Sequence, residues 1–215
     1  MNLIRFAPFA ATILAGAAIV AGVACGGGDD DDPATPPPAT ETASATATPT
    51  EAPPTPTPTP TPYAGLVTRL AIPRFGVDAP IEELGVDSTN TLETPTNENT
   101  DVGWYSIYDR PGWHGNAVFS AHVYYHNIPA PFVNLAKSVE GDQIVVTMAD
   151  GTQYTYQVIS NTRYNRDTIP MGDIIWPKNK PEGKEWITLI TCGGQLDSTG
   201  WEYLDRDVIV AERVS

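Results

Sequence analysis

In DQIVVTMADGTQYTYQVISNTRY (142–164), two runs of alternating β-branched and aromatic residues flank the tripeptide ADG. A period of two sends successive side chains to opposite faces of a strand, and a short Gly-containing break between two such runs predicts a hairpin. The same alternation recurs along the chain. LVTRLAIPRFGVDAPI (66–81) predicts two short strands parted at Pro73-Arg74, and EWITLITC (185–192) and RDVIVAERV (206–214) predict two more. GNAVFSAHVYY (115–125) predicts a strand with Val118, Ser120 and His122 on one parity and Ala117, Phe119 and Ala121 on the other. Helical spacing occurs in APFVNLAKSV (130–139), where Phe132, Leu135, Ala136 and Val139 fall at i, i+3, i+4 and i+7. The segments between, rich in Pro, Gly, Asn and Asp, read as loops. The longest, 87–114, has no period, and its Trp104, Tyr105, Tyr108 and Trp113 are expected to pack down as a satellite cluster. Many short strands with one short helix predict an all-β fold with minor helix, closed or nearly closed as a barrel, because closure removes exposed edges.

The first 62 residues follow other rules. Residues 1–25 carry one positive charge, Arg5, and then an uncharged, mostly apolar run from Phe6 to Ala24. That run suits a signal peptide or a marginal membrane-spanning helix, and either way the chain is exported. The exit GVAC ahead of GGGDDDD resembles a bacterial lipoprotein cleavage site with Cys25 as the lipidated residue, although Gly22 stands where Leu is usual. Residues 26–62 have almost no large apolar side chain to offset the entropy of ordering them, and their Thr-Pro repeats favour extended polyproline II. They read as a disordered, semi-rigid tether. Residues 63–215 are then the working domain, long enough for one hydrophobic core. The chain's net charge is −14; Arg5 and six acidic residues precede Tyr63, leaving 11 basic against 20 acidic side chains in the domain. A balance of that sign argues against nucleic acid as a partner, because phosphate binding needs a basic face.

Cysteine usage sharpens the picture. An exported domain meets an oxidising environment in which cysteines usually pair, yet this domain has one, Cys192, followed directly by Gly193 and Gly194. A lone thiol is an intermolecular partner, an inert core residue or a nucleophile. A nucleophile needs a base or cation to reach the thiolate form, since a free thiol titrates at about 8.5. Of the three histidines, His114 lies in the turn PGWHG, His126 in the loop YYHNIPAP, and His122 at the end of the apolar strand. A Cys–His pair is a recognised nucleophile arrangement. Acyl transfer also needs positive charge or N–H donors at the developing oxyanion. If 185–192 and 206–214 are antiparallel neighbours, Arg206 falls near Cys192; Arg110, Arg163 and Arg166 have no comparable placement. Paired with Asp205 or Asp207, Arg206 would be merely structural.

These residues resemble the sortases, the cell-envelope cysteine transpeptidases. TLITC (188–192) matches the Thr-Leu-x-Thr-Cys signature, and the resemblance covers nearly all of 66–215. IPRFGVDAPIEELGVD is similar to the family's opening strands. VGWYSIYDRPGWHGNAVFSAHVYYHNIPAPFVNLAKSVEGDQIVV is similar to its segment around the catalytic histidine, and CGGQLDSTGWEYLDRDVIVAERV to its run from nucleophile to arginine. The Cys-Gly-Gly and His-Val features are most similar to class F. The resemblance implies a closed eight-stranded sortase β-barrel with Cys192 as nucleophile, His122 as acid/base partner and Arg206 as oxyanion or substrate stabiliser. Thr191 and Gly193 are expected to line the substrate pocket. Gly193 and Gly194 are expected to let the chain leave the strand after Cys192. The implied partners are a sorting-signal peptide (LPxTG-like by default), an amine acceptor on the cell envelope and the membrane through the N-terminal anchor. No cofactor is expected, and no metal, because the acidic calcium cluster of some class A members has no match. Ala121 stands where many members have Gly, and the residues after His122 are more aromatic than usual. Two other readings compete: a sorting-peptide hydrolase without efficient transfer, and a non-catalytic anchored β-barrel that binds a surface ligand.

Overall fold

The computed structural model describes residues 61–88 and 91–215. The expected leader with Cys25 and nearly all of the tether lie outside them. Ten strands form: β1 (Val67–Ile72), β2 (Val77–Leu84), β3 (Val102–Tyr105), β4 (Asn116–Ser120), β5 (Tyr124–Tyr125), β6 (Ile128–Pro129), β7 (Gln143–Met148), β8 (Gln153–Asn165), β9 (Trp186–Leu196) and β10 (Tyr203–Arg213), with one short helix, α1 (Met171–Ile175), between β8 and β9. Eight strands close into a barrel in the order β1-β2-β3-β4-β9-β10-β8-β7, with β7 returning to β1. Pairing is antiparallel except for β2–β3 and β4–β9, which run parallel. The fold is therefore the mostly-β closed eight-stranded barrel expected, with a single short helix. β5 and β6 form a separate hairpin outside it.

The alternation that predicts the strands also explains the core. Leu70, Ile144, Val146, Tyr156, Phe119, Leu189 and Ile209 are buried in one cluster to which all eight barrel strands contribute, so this cluster fills the barrel interior. Residues of the opposite parity, Val118, Ile190 and Val208, join a second cluster on the outer wall with Leu84, Tyr105 and the α1 residues Met171, Ile174 and Ile175. The α1 turn is thus a short cap whose buried face covers an apolar patch of β4, β9 and β10.

Three expectations need correction. The supposed loop 87–114 contains a barrel strand, β3, in which all four residues are buried and no alternation shows. Its Trp104 belongs to the main core rather than to a satellite, and Trp113 is exposed. The helix expected over 130–139 is a series of turns with one short 3₁₀ segment, Leu135–Lys137. Beyond buried Ala130, its buried positions are Phe132, Leu135 and Ser138, three apart, with Ala136 and Val139 exposed. That spacing of three suits 3₁₀ turns, where i and i+3 eclipse, and not an α-helix. Finally, the strand expected over 115–125 stops at Ser120, and His122 lies between β4 and the β5–β6 hairpin.

The far end of the barrel is tied by one buried carboxylate. Glu185, 3% exposed, accepts hydrogen bonds from the backbone N–H of Gly112 (2.6 Å) and His114 (3.2 Å), from the Tyr156 hydroxyl (2.5 Å) and from Arg213 (3.1 Å). A buried charge is tolerable only when so paired. This anchors the 109–115 turn, and with it His114, at the beginning of β9, about 20 Å from Cys192 at the rise of a strand.

Candidate active site

The antiparallel register of β9 and β10 sets Cys192 directly opposite Arg206, and Thr191 opposite Asp207. Opposed residues share a face. Cys192 and Arg206 have the parity of Ile190 and Val208, so both stand on the outer wall. Cys192 is half-buried and unpaired. Arg206 donates to two backbone carbonyls of its own strand end, Tyr203 (3.2 Å) and Asp205 (2.8 Å), and not to the carboxylates that would have made it structural. Asp207 instead faces the other way, 2% exposed, in a bidentate pair with Arg163 at 2.7 and 3.0 Å.

Strand β9 does not end at Cys192, contrary to expectation. It continues to Leu196, with pairs Gly193↔Asp205 and Leu196↔Tyr203. Gly194 and Gln195 oppose Leu204 alone, which makes a β-bulge, and Gly194 occupies the left-handed region at φ +74°. Gly193 has a different reason to be glycine: a Cβ there would lie 2.1 Å from the buried Asp207 carboxylate. Gly193→Ala is therefore expected to displace Asp207 from Arg163 and destabilise the fold by about 1–3 kcal/mol, as overpacking does. Chemical denaturation of the two proteins checks this, and equal midpoints would contradict it.

The chain leading to His122 is joined to β9 by the Ser120–Ile190 pair and by a side-chain bond one residue before the histidine. The Thr191 hydroxyl donates to the carbonyl of Ala121 at 2.7 Å. The residue before Cys192 thus grips the residue before His122. Thr191 is 3% exposed, and this bond uses its hydroxyl donor. The His122 ring leans on Tyr125, with centroids 5.7 Å apart. Its Nε2 is buried without a hydrogen-bond partner, 3.7 Å from Glu98. His126 lies at the tip of the β5–β6 hairpin, where it and Asn127 both have positive φ, and packs on Tyr125.

Burial raises the pKa of the Cys192 thiol above its ordinary value. Arg206 opposes that rise, Asp207 adds to it, Arg166 opposes it and Glu202 adds to it. Burial lowers the pKa of His122, and Glu98 opposes the change. Both shifts favour the neutral forms, so thiol and imidazole are both uncharged in the resting protein near neutral pH. Arg166 is a residue that sequence reasoning set aside. It pairs with Glu202 at 2.5 Å and with Asp167 at 3.5 Å, which ties the end of β8 to the β9–β10 loop, near the thiol. Arg110, another competitor, lies over Trp104 and donates to the Gly65 carbonyl.

On the same outer wall, a groove of about 310 Å³ runs between β8, β9, β10 and the α1 segment, lined by Ser160, Thr162, Tyr164, Thr188, Val208 and Ile174 among others.

Comparison with known proteins fits this geometry. A family model described as the sortase domain matches residues 70–214. The chain belongs to the sortase family, whose members are typically cysteine transpeptidases. The fold is similar to that of sortase C1 from Streptococcus agalactiae (22–23% identity across its crystal forms; for one, TM-score 0.52, 69% of this chain and 66% of that one). It is also similar to a lid mutant of sortase A from Corynebacterium diphtheriae (24% identity, TM-score 0.52, 69% and 70%) and to sortase C-1 from Actinomyces oris (25% identity, TM-score 0.51, 69% and 73%). The chain therefore spans just under two thirds of the streptococcal protein. Among curated proteins none matches the sequence.

Proposed function

We propose that the protein is a cell-envelope cysteine transpeptidase that cleaves an LPxTG-like sorting signal through a thioacyl intermediate on Cys192 and transfers the acyl group to an amine acceptor. The observation that carries this reading is the direct pairing of Cys192 with Arg206 on one face. The Thr191–Ala121 bond, which draws the His122 segment to β9, supports it. In the first step the thiol proton passes to His122 and the Cys192 sulfur bonds to the peptide carbonyl carbon. Arg206, which has donors to spare beyond its two carbonyl bonds, stabilises the oxyanion. The C–N bond then breaks, and His122 gives its proton to the leaving amine. In the second step the acceptor amine attacks the thioester, the now neutral His122 takes the amine's proton, and the sulfur leaves as thiolate. The groove beside α1 suits a peptide on the same wall. Cys-Gly-Gly and His-Val favour class F. The exported leader and Thr-Pro tether favour a domain held off the outer face of the bacterial cytoplasmic membrane, by lipid on Cys25 or by an uncleaved apolar helix.

Attack needs thiolate and imidazolium together, while burial favours thiol and imidazole. Only a minor fraction is then in the reactive form, and kcat/KM follows a bell belonging to the pair. Its acid limb lies below 6.5, because His122 is shifted down, and its alkaline limb lies above 9.0, because Cys192 is shifted up.

Arg206→Ala is expected to lower kcat about 10²–10³-fold with little change in KM, the signature of an interaction made in the transition state. Arg206→Lys is expected to recover only part of this, because an ammonium lacks the planar fork. Steady-state kinetics on a sorting peptide reads both; a rise in KM alone would assign Arg206 to ground-state binding. Transfer itself is tested by chromatography of products with and without an amine. An amide product formed at the expense of free acid supports transpeptidation, and free acid alone at every amine concentration supports a hydrolase.

A further inference from the structure

We infer that Glu98 is a positioning residue for His122, holding the Nε2 edge of the ring and leaving Nδ1 to exchange protons with the reacting groups. This rests on the transpeptidase reading for its consequence, and on geometry for its basis. Nε2 is buried and without a hydrogen-bond partner, an arrangement that is costly unless a partner is close. The nearest charge is the Glu98 carboxylate at 3.7 Å, itself 19% exposed. A small closing movement turns that approach into a charge-assisted hydrogen bond once Nε2 carries a proton.

The chain around Glu98 is built to keep it there. The next residue, Asn99, donates its side-chain amide to the carbonyls of Tyr125 (3.0 Å) and Ile128 (3.3 Å). It thereby clamps the 91–101 segment onto the hairpin that follows His122. The Tyr125 ring packs on His122, and its hydroxyl titration is raised chiefly by Glu98, so carboxylate, phenol and imidazole form one cluster. The other acids of the segment are occupied elsewhere, Glu93 by the Gly85 N–H and Asp101 by Asn97 and Thr100. His126 packs on Tyr125, Tyr124 stands on the same hairpin, and Cys192 and Arg206 lie on β9 and β10. Burial and Glu98 are the influences that shift His122.

The consequence for proton transfer is specific. Imidazolium carries a proton on each nitrogen. When Nδ1 passes its proton to the leaving amine as the C–N bond breaks, Nε2–H remains on the ring and is held by Glu98. A carboxylate so placed fixes tautomer and orientation, and favours the imidazolium that the reaction needs.

The test is the His122 titration followed by NMR in the full chain, together with the pH profile of kcat/KM, for wild type, Glu98→Gln and Glu98→Asp. Losing an opposite charge at this range lowers a pKa by about one unit or more. The His122 midpoint is expected to fall by about that much in Glu98→Gln and by less in Glu98→Asp. The acid limb should move to lower pH with it. Because imidazolium is the scarce reactive form, the plateau of kcat/KM should drop by the same factor, about tenfold, with KM unchanged. A merely structural role would lower the plateau without moving the limb. A midpoint and limb unchanged in Glu98→Gln overturn the inference. A wild type that turns over no sorting peptide sinks the transpeptidase reading separately, and the His122 midpoint then still decides whether Glu98 holds the ring.

Discussion

Cys192→Ala is expected to abolish covalent turnover of sorting peptides, while leaving the fold intact. The side chain is half-buried at the outer wall and touches no disulfide partner, so its loss removes a thiol and little packing. No other cysteine lies in the barrel domain. Residual background reaction would then come from binding and oxyanion donors without a covalent step, far below the wild-type rate. Alkylation gives an independent readout. The wild-type rate with iodoacetamide should climb with pH toward a midpoint above 9.0, since burial raises the thiol's pKa. A thiol that stays unreactive at high pH in the folded protein would favour the inert barrel instead.

His122→Ala is expected to lower kcat/KM by about 10²–10⁴-fold, the ordinary worth of acid/base help. The same substitution at His114 or His126 should do far less. His114 is pinned through its backbone to Glu185 at the other end of β9, and His126 sits at the tip of a hairpin. The remaining activity of His122→Ala should lose the acid limb of the bell, because the group that sets it is gone. Retention of that limb would mean that another residue supplies the proton.

The parts of this architecture that carry a clear β signal were readable from the chain, and the parts that do not were hidden. β7 and the first half of β8 bury one parity and leave the other more open. β9 and β10, buried on both faces over 186–191 and 207–209, were legible from their β-branched runs, which is why Arg206 could be set near Cys192. β3 is buried on both faces between β2 and β4, so Val102–Tyr105 carries no period and passed for loop. The 130–139 segment misled because Phe132 and Leu135 satisfy helical and 3₁₀ spacing equally, and exposed Ala136 and Val139 decide between them only in three dimensions. Gly193 looked like a strand breaker, yet its reason is the Asp207 carboxylate across the ladder. Sequence reasoning does not single out Glu98 at all, and it names Arg166 only to set it aside. Each acts through a contact with a side chain distant in sequence, Glu98 with His122 and Arg166 with Glu202, and no local pattern records such a contact.

Every step of the proposed reaction depends on Cys192 carrying the acyl group. Intact-protein mass spectrometry of the detergent-solubilised full chain, quenched in acid after mixing with a panel of sorting peptides, tests it most directly. The expected result is a mass gain equal to the acyl part of the cleaved peptide, mapped to Cys192, discharged by added amine and absent in Cys192→Ala. No adduct on the wild type with any peptide, or an adduct that persists in Cys192→Ala, would contradict it.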